Sequence, residues 1–149
     1  MNWLKHKNYK SIDLRLERDM ALFVAYKQSL SANTFRTQDD AVDFARKSPA
    51  PRFYIDGFFA RIVLRRMLNG QPPGVTGKNT LRKFEELLKR YIESEKQNLF
   101  PGMNFKAICN ILVEQPAPEF YISRRTARAI ISEQMKLGWK QILERYKRP

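Results

Sequence analysis

One short stretch occurs twice in this chain, and its two copies constrain the fold more than any other feature. The copies read Pro-Ala-Pro-Arg-Phe-Tyr-Ile at residues 49–55 and Pro-Ala-Pro-Glu-Phe-Tyr-Ile at residues 116–122, a constant offset of 67. Proline lacks an amide donor and disfavours helical geometry for the residue before it, so a helix must stop before each copy. The repeat predicts a duplicated structural unit in which a rigid elbow joins two helices.

Helical periodicity predicts a long first helix in each copy. The first is expected to begin near Ser11 or Asp13 and to end at about Leu30. Its counterpart at 81–97 follows at an offset of 65, and a two-residue insertion after Phe100 restores the offset of 67. The chain is therefore expected to be all-α.

Two further helices are predicted in each copy, one on each side of the elbow. Short second helices are expected to stop before Pro49 and Pro116, and third helices are expected at 57–68 and 124–137. Side chains that can accept a hydrogen bond from a helix N-terminus precede these helices, and the predicted N-caps are Thr37, Asp56, Asn104 and Ser123.

Apolar spacing predicts which faces of the helices form the core. In the third helices the faces are Ala60, Val63, Leu64 and Leu68, and then Ala127, Ile130, Ile131 and Met135. In the long helices they are Leu16, Met20, Phe23, Val24 and Leu30, and then Leu81, Phe84, Leu88, Tyr91 and Ile92.

A segment rich in Pro and Gly at 70–79 is the best candidate for a domain boundary. It divides the chain into an N-terminal three-helix repeat at 1–69 and a C-terminal repeat at 80–149. The second repeat is expected to end in a short docking helix, because apolar residues follow helical spacing at Trp139, Ile142, Leu143 and Tyr146.

The formal net charge of +13 points to an anionic partner. The charge is spread over the chain, since residues 1–70 carry 13 basic and 7 acidic residues and residues 71–149 carry 15 and 8. Nucleic acid is the favoured partner, DNA before RNA; an acidic protein is the alternative, and the charge could also serve solubility alone. The N-terminus has no apolar segment typical of a signal peptide, and no run is long enough to span a membrane, which predicts a cytoplasmic protein.

The sequence offers little for catalysis. His6 is the only histidine and Cys109 the only cysteine, and no Ser/His/Asp set, phosphate-binding glycine loop or metal-ligand cluster is evident. Cys109 aligns with Val42 at the offset of 67, which favours a small buried residue over a nucleophile. We expect a protein that is not an enzyme, with no metal and no cofactor.

Arginines on the third helices are the candidate nucleic-acid-binding residues. Arg61 and Arg128 occupy equivalent positions in the two copies. The others are Arg65, Arg66 and the elbow residue Arg52 in the first copy, and Arg124 and Arg125 in the second. A helix fits the ~12 Å width of the major groove, where such side chains contact bases or phosphates. The alternative is that they form a solvated face above a core helix.

Three apolar residues lie opposite the core face of the first copy's third helix. They are Phe58, Phe59 and Ile62, and their counterparts in the second copy are Arg125, Thr126 and Ala129. They either pack against other helices or remain exposed. If exposed, this aromatic patch edged by arginine predicts a protein interface or a dimer seam, where aromatic residues and arginine are enriched.

The Pro-Ala-Pro-Arg-Phe-Tyr-Ile signature, the preceding helix with Tyr26 and the following Ala60-Arg61 helix resemble small bacterial and mobile-element proteins that carry this motif. The resemblance covers most of the first copy and extends more weakly to the second, where Glu119 replaces the arginine. It implies a DNA-associated accessory protein and assigns no binding or catalytic residue. The likeness to helix-turn-helix proteins is architectural only, because the connection is longer than their usual turn of about 3–4 residues.

Overall fold

The computed structural model describes residues 7–137, and every regular element in that part of the chain is an α-helix. The helices are α1 (Lys7–Ala32), α2 (Gln38–Lys47), α3 (Gly57–Leu68), α4 (Lys78–Lys96), α5 (Phe105–Glu114) and α6 (Arg124–Lys136). The all-α class and the predicted bounds of the third helices are confirmed, whereas α1 begins earlier than expected. The docking helix predicted around Trp139 lies outside the described residues.

All four predicted N-caps are confirmed by a side-chain oxygen that accepts a backbone N–H. Thr37 Oγ1 accepts from Asp40 at 3.1 Å and Asn104 Oδ1 accepts from Ala107 at 2.8 Å. Asp56 Oδ1 accepts from Phe58 and Ser123 Oγ accepts from Thr126, both at 3.1 Å. Each such cap stabilises its helix by about 1 kcal/mol.

The helices form two compact units that do not follow the order of the copies. Unit 1 comprises Met1–Ala50 with Ala117–Pro149 and contains α1, α2 and α6. Unit 2 comprises Pro51–Pro116 and contains α3, α4 and α5. Each unit thus holds the third helix of the other copy, an arrangement that we call helix exchange. The predicted tandem repeats at 1–69 and 80–149 are not confirmed.

The two elbows use the same backbone hydrogen bonds at equivalent positions. In unit 1, Ala50 and Ala117 each donate an N–H to the other's carbonyl at 2.9 Å, and Phe120 N donates to Arg46 O at 3.0 Å. In unit 2, the equivalent bond runs from Phe53 N to Val113 O at 3.1 Å. The predicted extended geometry around the prolines therefore satisfies backbone groups that would otherwise be unpaired.

A tyrosine in each elbow turns the chain through the left-handed region of backbone space. Tyr54 has φ 55° and Tyr121 has φ 57°, a conformation that costs about 1–2 kcal/mol for a residue with a side chain. The following residues, Ile55 and Ile122, are buried. Burial of the flanking aromatic and aliphatic side chains holds this turn in place.

In unit 1, α6 packs against α1 and α2. The buried stripe of α1 is Leu16, Asp19, Leu22, Tyr26 and Ser29. The predicted stripe was wrong for Met20, Val24 and Leu30, which are exposed. The reason is that two polar residues lie on the buried face, where Ser29 Oγ donates to Ala25 O at 2.7 Å and Asp19 pairs with Arg18 at 2.9 Å. A search for apolar spacing does not detect such positions.

In unit 2, α3 packs against α4 and α5. Its core contains Ala60, Val63 and Leu64 from α3, Phe84 and Leu87 from α4, and Ile108, Cys109, Leu112 and Val113 from α5. Leu68 and Ile92 were predicted in the core and are exposed, as is Met135 in unit 1. Met135 is displaced from the core by its neighbour Gln134, which is buried instead.

Candidate nucleic-acid interface

Three of the predicted arginines lie on α3, and each is held by a neighbouring group in unit 2. The Arg61 guanidinium lies 5.0 Å from the ring centre of Phe58, and that of Arg65 lies 4.7 Å from the ring centre of Phe105. Arg66 Nε donates to the carbonyl of Pro72 at 2.7 Å. A cation above an aromatic face is attracted to the ring without losing its charge, so these contacts position the side chains and leave them cationic.

No described carboxylate forms an ion pair with Arg61, Arg65 or Arg66. Arg65 and Arg66 are exposed, and Arg61 is half-buried. The α3 arginines are therefore a local excess of positive charge on ordered side chains. An anion that approaches this face has no carboxylate to displace.

Two arginines of α6 instead form ion pairs with carboxylates of α2, which neutralise their charge. Arg124 Nε lies 3.0 Å from both carboxylate oxygens of Asp43, its Nη2 also contacts that group, and Arg46 Nε donates to the same carboxylate at 2.7 Å. Arg128 Nε lies 3.3 Å from Asp39 Oδ1. These pairs join α6 to α2 within unit 1.

The Asp43 cluster also shifts the acidity of its members. Hydrogen bonds from Arg124 and Arg46 hold the pKa of Asp43 far below its ordinary value of 3.8, although partial burial opposes that shift. The same carboxylate raises the pKa of Arg124. Arg124 and Arg128 were predicted to bind nucleic acid, but the structure places them in contacts that stabilise unit 1.

The other two predicted arginines lie in different surroundings. Arg52 is half-buried at the elbow in unit 2. Arg125 is exposed and lines a cavity of about 310 Å³ between α1 and α6, which we call the α1/α6 cavity. Its lining residues are Arg15, Arg18, Asp19, Arg125, Thr126, Ala129, Ile130, Glu133 and Gln134. This cavity was not predicted from the sequence, because Asp19 and Gln134 are 115 positions apart in the chain.

In unit 2, the equivalent pair of helices, α3 and α4, is joined by an aromatic contact. Phe59 and Phe84 meet edge to face with ring centres 5.8 Å apart. Phe84 is buried, whereas Phe58, Phe59 and Ile62 are 47%, 45% and 43% exposed. About half of each of these three side chains thus remains in solvent, beside the Arg61 guanidinium that covers the Phe58 ring.

Cys109 is buried in the core of unit 2, as predicted from its alignment with Val42. Burial raises the pKa of its thiol to about 11, an effect that outweighs the opposing charges of Arg61 and Arg65. The reactive form of cysteine is the thiolate, so Cys109 is an inert core residue in the folded protein. His6 lies outside the described residues.

Among the helices between residues 7 and 137, none has the length and apolar character needed to cross a bilayer. A comparison of the chain with protein-family models, with curated proteins and with solved structures found no match.

Proposed function

We propose that this protein is a non-enzymatic, cytoplasmic protein that binds nucleic acid, DNA in preference to RNA, as an accessory or regulatory factor. The binding residues are Arg61, Arg65 and Arg66 on α3, with Arg125 as a separate contact in unit 1. One observation carries the proposal: the α3 guanidiniums are ordered and have no described carboxylate partner, whereas Arg124 and Arg128 are neutralised by Asp43 and Asp39.

The chemistry of these side chains suits a phosphate backbone. A guanidinium presents several donors in a rigid fork that matches phosphate oxygens. Arg61 and Arg65 are already positioned by Phe58 and Phe105, so binding restricts few additional rotamers. The net charge of +13 adds a long-range attraction that increases the rate of encounter with a polyanion.

A salt titration of DNA binding tests the proposal. The affinity for a short fluorescent duplex, measured by anisotropy from about 50 mM salt upward, should fall with a log–log slope of about −0.9 for each neutralised phosphate. R61A/R65A should lower the magnitude of that slope by up to about 2, because it removes two guanidinium charges that neutralise phosphates. An RNA duplex of the same sequence tests the preference for DNA.

R124A/R128A is the matched control, because it removes the same charge from residues that are paired with Asp43 and Asp39. It should leave the slope nearly unchanged provided that circular dichroism shows an intact fold. Equal losses in the two variants would mean that net charge alone drives binding. The absence of binding at about 50 mM salt to any duplex or single strand contradicts the proposal.

A second function is favoured by the exposure of Phe58, Phe59 and Ile62, which makes the aromatic patch of α3 a candidate protein interface. Aromatic side chains beside arginine are enriched at such interfaces. Phe58→Glu should dissociate a dimer or complex that light scattering detects in the parent protein. Met135→Glu is the control, since Met135 is a 63% exposed apolar residue on α6. An unchanged mass for Phe58→Glu excludes a self-association surface at this patch.

A further inference from the structure

We infer that the α1/α6 cavity of unit 1 is a binding site for a phosphomonoester, and specifically for a terminal nucleotide with its phosphate at the mouth and its base inside. The inference relies on the proposed function only for the origin of the nucleotide, at the end of a nucleic-acid strand. A free mononucleotide offers the same chemistry.

The cavity has a polar mouth and a polar floor. Arg125 and Thr126 line it and are exposed, whereas Asp19 and Gln134 line it and are buried. Arg18 donates from Nε and Nη2 to Asp19 Oδ1 at 3.1 and 2.9 Å. Three guanidiniums and two carboxylates line the cavity in total, which leaves an excess of one positive charge.

Gln134 is the observation that points to a ligand. Its side chain lines the cavity, the residue is only 8% exposed, and its amide makes no hydrogen bond with a described residue. An amide that lines a cavity and makes no hydrogen bond within the described protein is free to bond to a ligand there. An amide supplies one acceptor and two donors, the set that pairs with the edge of a nucleobase.

The mouth of the cavity favours an anion. Arg125 and Thr126 lie in the first turn of α6, which contains no acidic residue. The N-terminal end of a helix carries partial positive charge, and phosphate groups are commonly bound there. The Arg125 guanidinium forms no ion pair with a described carboxylate and can therefore contact a phosphate directly.

Unit 2 carries apolar side chains at the equivalent positions, and two of them, Phe59 and Phe84, are in contact. At the offset of 67, Thr126 corresponds to Phe59 and Ala129 to Ile62, and at the offset of 65 Asp19 corresponds to Phe84. Helix contacts are normally packed without voids, so the smaller and polar residues of unit 1 keep a cavity open at some cost to packing. A ligand compensates for that cost.

The size of the cavity limits the ligand. A volume of about 310 Å³ lies at the lower end of the range for small-molecule sites, which is about 300–1,000 Å³. One nucleotide is compatible with that volume. A base stacked inside a continuous duplex cannot enter a cavity between two helices, whereas an unpaired end can.

Binding of end-labelled single strands tests the site. A strand with a 5′ or 3′ terminal phosphate should bind about tenfold more tightly than the same strand with hydroxyl ends, the effect expected of one charged hydrogen-bonded contact. Adenosine and guanosine monophosphates should remove that difference by competition. Arg125→Ala and Gln134→Met should each abolish the difference, and Gln134→Met should leave the affinity for the strand with hydroxyl ends unchanged.

T126F/A129I provides an independent variant, because it introduces the residues that unit 2 carries at these positions. It should retain the fold and lose the preference for a terminal phosphate. R61A/R65A should weaken both strands equally. Equal binding of phosphorylated and unphosphorylated strands by the parent protein, with no mononucleotide bound in calorimetry, overturns the site. Binding of mononucleotides without binding of any strand supports the site and contradicts the proposed function.

Discussion

In unit 1, α6 packs on α1 and α2 with two ion pairs and a polar cavity, whereas in unit 2 α3 packs on α4 and α5 with aromatic and close backbone contacts. Arg124 pairs with Asp43 in unit 1, and the residues at the equivalent positions of unit 2 are Gly57 and Asn110. A Cβ atom at Gly57 would overlap the side chain of Asn110. One position of the repeat thus carries a long cation in one unit and no side chain in the other.

This difference explains why each third helix fits only one unit. If α6 packed on α4 and α5, Arg124 would meet Asn110 in a space that accepts only glycine, and Arg128 would lose its ion pair with Asp39. If α3 packed on α1 and α2, the carboxylate of Asp43 would lose the Arg124 guanidinium and face Gly57. The two copies have diverged at the residues that select the exchanged helix.

The largest expected effect comes from the aromatic contact of unit 2. Phe84 is 1% exposed and lies edge to face with Phe59. Phe84→Ala should lower the free energy of unfolding of this unit by about 3–5 kcal/mol, because it removes buried surface and leaves a cavity. Urea denaturation measures the loss, and Cys109 reports on unit 2 directly, since its buried thiol reacts only after unfolding.

Phe84→Leu is the control for this prediction, because it keeps an apolar side chain and should cost less than half as much. Asp19→Ala, at the equivalent position of unit 1, should leave the rate of Cys109 labelling unchanged. If Phe84→Ala fails to accelerate labelling, Phe84 does not hold the core of unit 2 together.

Local chemistry made much of the fold predictable. The caps Thr37, Asp56, Asn104 and Ser123 form hydrogen bonds within three residues of themselves, so sequence alone identifies them. The prolines fix where the second helices end for the same reason. The all-α class and the bounds of α3 follow from these local signals.

Helix exchange was not predictable in the same way. The core faces of α3 and α6 have matching small and aliphatic residues, such as Ala60 with Ala127 and Leu64 with Ile131, so spacing does not say where each helix packs. The selecting contacts join residues distant in sequence; Asp43 and Arg124 are 81 positions apart. Sequence therefore identified the arginines of both copies as equivalent, although Asp39 and Asp43 compensate only those of α6.

A smaller effect is expected from the ion pairs of unit 1. Asp43→Asn should lower the free energy of unfolding at neutral pH by about 1–2 kcal/mol, because the carboxylate accepts hydrogen bonds from both Arg46 and Arg124. Thermal unfolding of the variant and the parent protein measures the loss. Asp43 lies in unit 1 and Cys109 in unit 2, so the rate at which Cys109 is labelled should not change.

The ion pair between Asp43 and Arg124 also predicts that the stability of unit 1 depends on pH. The folded-state pKa of Asp43 lies below the ordinary value of 3.8, so its stabilising effect is complete above that value and is lost as the pH falls towards the folded-state pKa. The difference in melting temperature between parent and Asp43→Asn should therefore be constant near neutrality and shrink below pH 3.8. A difference that does not change with pH would mean that the carboxylate charge contributes nothing.

The smallest effect tests the packing of Gly57 against Asn110 in unit 2. Gly57→Ala introduces a Cβ atom that overlaps the Asn110 side chain, so Asn110 must leave its position. Without that neighbour the same change should stabilise α3, because alanine is favoured over glycine in a helix by up to about 1 kcal/mol. Gly57→Ala should thus be less favourable in the parent protein than in Asn110→Ala, and a double-mutant cycle of unfolding free energies measures the coupling. A coupling of zero would show that Asn110 moves freely and that Gly57 does not determine which third helix packs in unit 2.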